Sequence, residues 1–171
     1  WNNAATSIQA AVVAVLDNSL IQVSNGPYNV AIPITITNSI AVRSVNGAAN
    51  TIIRRADPFW HRLAVLYHTN AVLDGFTFTN GAAHYSFLSS DRGGGVWIDG
   101  NNARGGTVLN SVFLGNYAYY MGGGLYIGYR GLASNCTFVG NTAAQYGGGL
   151  ATENGNDTTC VFRDCLLSNN A

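Results

Sequence analysis

The sequence predicts an all-β fold, a β-solenoid covered at its start by one α-helix, and three observations predict it. Glycine triplets recur at Gly93–Gly95, Gly122–Gly124 and Gly147–Gly149, each followed by a short strand-like segment (VWID, LYIG, LATE). A second motif keeps step with them: VLDGFTFTN at 72–80, VLNSVFLGN at 108–116, ASNCTFVGN at 133–141 and FRDCLLSNN at 162–170. The third observation is composition. Among 171 residues, eight are basic and eight acidic; every basic residue is Arg, and Glu153 is the sole Glu. Lys and Glu are the usual residues of exposed helices, so their near-absence removes a helical surface. Stacked strands with tight corners instead favour Gly, Asn, Thr and β-branched residues, and the chain holds 21 Gly and 20 Asn.

The elements follow in order. Thr6-Ser7-Ile8-Gln9 reads as a capping box with Thr6 as N-cap, and Ile8, Val12, Val15 and Leu16 form the apolar stripe of a helix running to Asp17-Asn18. Such a helix covers the open strand edges of the first coil. Strands are expected at Leu20–Val23, Ile32–Ile36, Ile40–Ser44 and Thr51–Arg54, separated by Asn25-Gly26 and Asn46-Gly47 turns. Segments Arg62–His68 and Ala71–Phe78 continue the series, and the glycine-triplet repeats follow. The whole reads as one domain, 1–171, of about five or six coils: a cap helix over 1–19, irregular first coils over 20–80, and regular repeats over 81–171. The sequence stops at Leu166–Ala171 within a repeat, which suggests a fragment or a last coil completed by another subunit, with head-to-tail contacts leading to a filament.

Aligning the second motif places Asn80, Asn116, Asn141 and Asn170 in one column. Stacked one strand spacing apart, inward Asn side chains can form an amide ladder that satisfies buried polar groups along the axis. Asp74, Asn110, Asn135 and Asp164 form a second column, and Ser111, Cys136 and Cys165 a third. Phe76 and Phe78 stand one residue out of phase with Phe113 and Phe138, read as a corner adjustment. The glycine triplets are assigned to corners needing positive φ or close backbone approach.

Charge and cysteine usage narrow the function classes. Net charge is zero, which gives no electrostatic footprint for nucleic acid or an anionic membrane. No apolar run approaches the roughly 18 residues of a membrane helix. Three cysteines, Cys136, Cys160 and Cys165, close no even disulfide set and show no zinc spacing, so they read as buried thiols.

The segments WNNAATSIQAAVVAVLDNSLIQVSNGPYNV and ITITNSIAVRSVNGAANTII, with the repeats SVFLGNYAYYMGGGLYI and NCTFVGNTAAQYGGGL, resemble right-handed parallel β-helices of the pectin-lyase-like superfamily with polymorphic-outer-membrane-protein-like repeats. The resemblance implies an extracellular or cell-surface protein, usually bacterial. It leaves function open between structural or adhesive proteins and polysaccharide lyases, because one fold hosts many activities.

The lyases of that superfamily use a basic residue beside acidic ones, often with calcium. Lys is absent here. The densest polar region is Arg54, Arg55 and Asp57, with His61, Arg62 and His68, then His84, Asp91 and Arg92 in an insertion between coils; of these, Arg54, Arg55, Asp57, His61, His84, Asp91 and Arg92 are the candidate acid–base residues. Carboxylate pairs of the glycosidase kind reduce to Asp74 with Asp99, or Glu153, Asp157 and Asp164. Glu153, Asn156 and Asp157 lack a calcium-loop spacing, so neither a metal nor a cofactor is expected. Trp97 and Tyr126 are expected to stack outward on adjacent coils, with Tyr119 and Tyr120 nearby, as cross-strand pairs that stabilise the sheet, as a row that packs against another protein, or as one that binds sugar rings. The resulting expectation is a non-catalytic surface protein with a structural, adhesive or self-assembling role, whose partners are its own copies or other surface proteins. A polysaccharide-binding or polysaccharide-cleaving domain is the alternative.

Overall fold

The computed structural model describes residues 4–56, 58–84, 91–99, 105–153 and 159–171. Asp57, Asn156 and Asp157 lie outside the described residues. The chain is an all-parallel β-solenoid with one short helix.

Helix α1 (Ile8–Ala14) is capped by Ser7, whose Oγ accepts the Ala10 N–H at 3.1 Å. The cap therefore lies one residue after Thr6, and no capping box closes. Gln9 serves a different partner: its Oε1 accepts the Thr35 N–H at 2.7 Å. The helix stops at Ala14, short of Asp17-Asn18, because only Ile8 and Val12 are buried against the coil while Leu16 is 85% exposed.

Sheet A stacks β1 (Leu20–Val23), β4 (Ala41–Ser44), β7 (Val72–Asp74), β11 (Gly106–Leu109), β15 (Gly131–Ser134) and β19 (Val161–Arg163). Sheet B stacks β2 (Gly26–Val30), β5 (Thr51–Arg55), β8 (Thr77–Thr79), β12 (Val112–Leu114), β16 (Thr137–Val139) and β20 (Leu166–Ser168). Sheet C holds β3 (Ile34–Ile36), β6 (Ala64–Leu66), β10 (Val96–Ile98), β14 (Leu125–Ile127) and β18 (Leu150–Thr152). A short sheet D joins β9 (Ala82–Ala83), β13 (Tyr117–Ala118) and β17 (Thr142–Ala143). Among the described residues the first two rungs lack a strand in sheet D and the last has two strands only, so the tally of full turns falls slightly below the five or six coils expected. Sequence repeats become stacked rungs because each strand places alternate side chains inward and no single rung can bury them alone.

The register corrects the alignment of the third rung. Strand β8 pairs with β12 as Thr77↔Val112, Phe78↔Phe113 and Thr79↔Leu114, one residue away from the sequence alignment. The Phe residues thus come into phase: Phe78, Phe113 and Phe138 stack inside sheet B with centroids 5.2 and 4.7 Å apart, the second pair 7° from parallel. Both columns of polar corner residues shift accordingly. Gly75 (φ 81°) now matches Asn110, Asn135 and Asp164, all at φ of 49–53°. Asn80 falls in with Gly115, Gly140 and Asn169 at positive φ, and Gly81 takes its place in the inward column. Asn and Gly share these corners because they tolerate the left-handed region at least cost.

The inward ladder is therefore Asn116, Asn141 and Asn170, without Asn80. Asn141 Oδ1 accepts the Asn116 N–H at 3.0 Å and the Asn116 side-chain amide at 2.9 Å, and Asn170 Oδ1 does the same for Asn141. The Gly81 N–H ends the ladder on Asn116 Oδ1. Within each triplet the first glycine has positive φ, as at Gly122 (69°), and the third permits close stacking: a Cβ on Gly124 meets Gly149 O at 2.5 Å.

Candidate functional site

Register counting locates the insertions. Rungs four and five match at a constant 25 residues in all four sheets. The third rung exceeds this on both sides of β10, and the fifth exceeds it after β18. All the extra residues from the third rung onward therefore flank sheet C, whose outer face carries Val65, Trp97, Tyr126 and Ala151 in one file.

That face is covered rather than presented. Tyr126 is only 1% exposed, which overturns its expected place in an outward binding row. Arg92, bridged to Met121 at the edge of the insertion, sets its guanidinium 5.2 Å from both the Tyr120 and Tyr126 rings and 3.3 Å from Glu153. The Tyr126 hydroxyl donates to Glu153 Oε2. Burial, then the bond to Glu153, pushes the Tyr126 hydroxyl above the usual phenol range, with Arg92 opposing. Beside it, Arg62 lies 4.4 Å over the Trp97 ring, and Tyr67 meets the same ring edge-on at 6.1 Å. Burial lowers the Arg62 guanidinium to about 10, with Tyr67, Asp91 and Asp99 opposing. Arg62 and Asp99 are both buried. Among the described residues, Arg92 Nε and Trp97 Nε1 are buried without a hydrogen-bond partner. Neither Tyr126 nor Arg62 is prepared to take up a proton at neutral pH.

The other candidates gather around the sheet B and sheet D side. Arg54 Nε donates to Asn29 Oδ1 at 2.6 Å. Arg55 donates to the carbonyls of Asn80 (3.2 Å) and Phe59 (3.0 Å), with its guanidinium 5.6 Å over Trp60. His61 Nδ1 lies 2.7 Å from Arg62 O. His84 joins an aromatic file instead: Trp60 at 4.8 Å and Tyr119 at 5.5 Å, with Tyr117 5.8 Å from Trp60. These rings are inclined by 41–63°, so they pack on one another rather than forming a flat platform. Phe59, Trp60 and Tyr119 are nonetheless exposed.

The structure thus divides the expected sets. Arg55 and His84 join the aromatic file, while Asp91 and Arg92 belong to the sheet C cover. Tyr119 goes with His84, and Tyr120 goes with Arg92 and Tyr146, whose ring it meets edge-on at 5.7 Å. Asp74 and Asp99 stand at different sheets, and Asp74 is occupied by Arg43 Nε at 2.8 Å and Asn110 Nδ2 at 2.7 Å. Among the described residues no three His, Cys, Asp or Glu side chains could hold a metal ion, and no helix is long and apolar enough to cross a membrane.

Sequence reasoning missed Phe59 and Trp60 as parts of these clusters, placed Arg62 only in the polar region beside His61, and treated Glu153 only as a carboxylate. The available signal was the isolation of that one Glu at the end of the strand LAT, opposite an Arg in the preceding insertion. The third column is simpler: Cys136 Sγ and Cys165 Sγ donate to the carbonyls of Ser134 (3.3 Å) and Arg163 (3.2 Å), as Ser111 Oγ does to Leu109 O. Comparison with protein-family models, with curated proteins and with solved structures finds no match.

Proposed function

We propose that this β-solenoid is a non-catalytic extracellular or cell-surface protein with a structural or adhesive role, related to the pectin-lyase-like β-helices that its repeats resemble. The observation that carries this reading is how the polar residues on the sheet C face are used. Arg92, Glu153 and Tyr126 fasten the segments flanking sheet C to the coil, and Arg62 is stacked on Trp97. Catalytic acid–base groups need a pKa near the working pH and an open approach. Tyr126 is displaced away from neutrality and buried. The placement outside the cell rests on the resemblance.

The file of Trp60, half-buried His84 and Tyr119, with Trp60, Tyr119 and nearby Phe59 exposed, favours a second reading, a flank that contacts polysaccharide or another surface protein. One experiment addresses both. Purified protein is incubated with uronate and neutral polysaccharides, and both chain cleavage and binding are measured, together with a Trp60→Ala/Tyr119→Ala variant and an Arg92→Ala variant. Binding without cleavage, weakened in the first variant only, supports the adhesive reading. Cleavage that Arg92→Ala abolishes refutes it and restores an enzyme.

A further inference from the structure

We infer that β2 and β3 of the first rung are built as a stop to strand addition, with two prolines and one glutamine removing donors that another strand would need there. A parallel strand directs alternate residues to opposite neighbours. In β2, Gly26 N–H bonds to Asn50 O and Val30 O accepts from Ala56, so Gly26, Tyr28 and Val30 face the second rung. Pro27 and Asn29 then face outward. In β3, Ile34 N–H bonds to Leu63 O and Ile36 O accepts from Tyr67, so Ile34 and Ile36 face the second rung, with Pro33 and Thr35 outward.

The chain has three prolines, and two of them occupy these outward positions. Proline has no N–H to offer and is tolerated only where no ladder bond is needed. The Thr35 N–H, the outward donor of β3, is taken by Gln9 Oε1. Helix α1 itself packs on β1 and β3. It does not close over β2: a groove of about 630 Å³ lies between them, lined in part by Val13, Pro27, Val30 and Ile32. Pro27 thus protects the strand that the helix leaves uncovered, while Gln9 and Pro33 reinforce the strand beneath it. Asn29 keeps the one outward N–H of β2, and its side chain is tied to Arg54. An exposed edge without such features is a template for pairing with another chain. The stop directs association away from this face, so contacts between copies use the flanks rather than strand pairing onto the first rung.

The test compares the wild-type chain with a Gln9→Ala/Pro27→Thr/Pro33→Thr variant by sedimentation velocity over a wide concentration range, with circular dichroism to confirm folding. Pro58→Thr, at the proline outside the first rung, is the control. The expected result is concentration-dependent growth in mass for the triple variant alone. A second measurement does not depend on the triple variant folding. In Gln9→Ala, hydrogen exchange at the Thr35 amide should accelerate at least tenfold while Ile34 and Ile36 stay protected. A folded triple variant that keeps the wild-type mass throughout, a control that associates equally, or an unchanged Thr35 amide overturns the inference.

Discussion

Replacing Asn141 by Ala removes the centre of the inward ladder. Asn141 is fully buried, and its side chain makes four bonds: it accepts from Asn116 N and Asn116 Nδ2 and donates to Phe113 O at 3.0 Å and to Asn170 Oδ1 at 2.9 Å, an oxygen that keeps the Asn141 N–H as donor. Asn116 Nδ2 keeps a second bond to Phe78 O, so its loss is partial. The Asn116 N–H loses its acceptor outright. Each buried polar group left unpaired costs about 1–3 kcal/mol. With one full donor, one partial donor and one carbonyl affected, the variant should lose about 4 kcal/mol. For a chain of this length that lowers the melting temperature by roughly 8–16 °C. The partner experiment is Asn80→Gly. Asn80 sits at φ 59° in the corner column and gives no side chain to the ladder, so Gly should be close to neutral. Thermal and urea unfolding, followed by tryptophan fluorescence and circular dichroism, measure both. A loss below about 1 kcal/mol for Asn141→Ala, or an Asn80→Gly loss as large as that of Asn141→Ala, refutes the ladder reasoning, for which the unpaired-group cost of about 1–3 kcal/mol is the basis.

Glycine positions separate by mechanism. Gly124→Ala brings a Cβ to 2.5 Å from Gly149 O and should prevent the fourth and fifth rungs from closing, seen as loss of the cooperative transition. Gly115→Asn faces open space at positive φ and should change stability by under about 1 kcal/mol, as Asn80 and Asn169 already fill that column. The Cys136 thiol is pushed up to about 12 by burial. A thiol that holds its proton longer when folded than when unfolded stabilises the fold fully below its ordinary pKa of 9.0, and this contribution falls as pH rises toward 12. Its slope is at most about 1.4 kcal/mol per pH unit; Cys136→Ser should abolish that component, and native Cys136 should resist alkylation at pH 8 until the chain is unfolded. Arg92→Ala removes two ring contacts and a half-exposed ion pair, together worth about 1–2 kcal/mol. Faster exchange confined to segments beside sheet C, measured by hydrogen exchange, is the expected signature.

The parts legible from the sequence were those repeated in it. Glycine triplets, Asn columns and alternating strands carry the same local chemistry at each rung, so the solenoid follows from their spacing. The register error at Asn80 had a visible symptom, the dephased Phe76 and Phe78, because an inward Phe file cannot skip a residue without turning outward. The cover over sheet C left no such trace. Arg92 and Glu153 occur once each in non-repeating segments, so no repeated column encodes what they touch. Tyr126 therefore looked outward and free, whereas a guanidinium and a carboxylate bury it. The capping box failed for a related reason: Gln9 had a distant partner, Thr35, that no local pattern encodes.

The constant 25-residue offset between the fourth and fifth rungs has a consequence for how such a chain can change length. Gly106↔Gly131, Val112↔Thr137, Tyr117↔Thr142 and Leu125↔Leu150 superimpose every corner, ladder rung and triplet on its equivalent. Copying that unit in tandem would add one layer, about 4.8 Å along the axis, with each new residue meeting a neighbour of the kind already present. Copying 24 or 26 residues would slip the register by one, bringing Thr137 or Val139 into the file of Phe138 and turning inward side chains outward. The molecule thus counts in whole layers, and genetic slippage by one unit is a change its architecture can absorb.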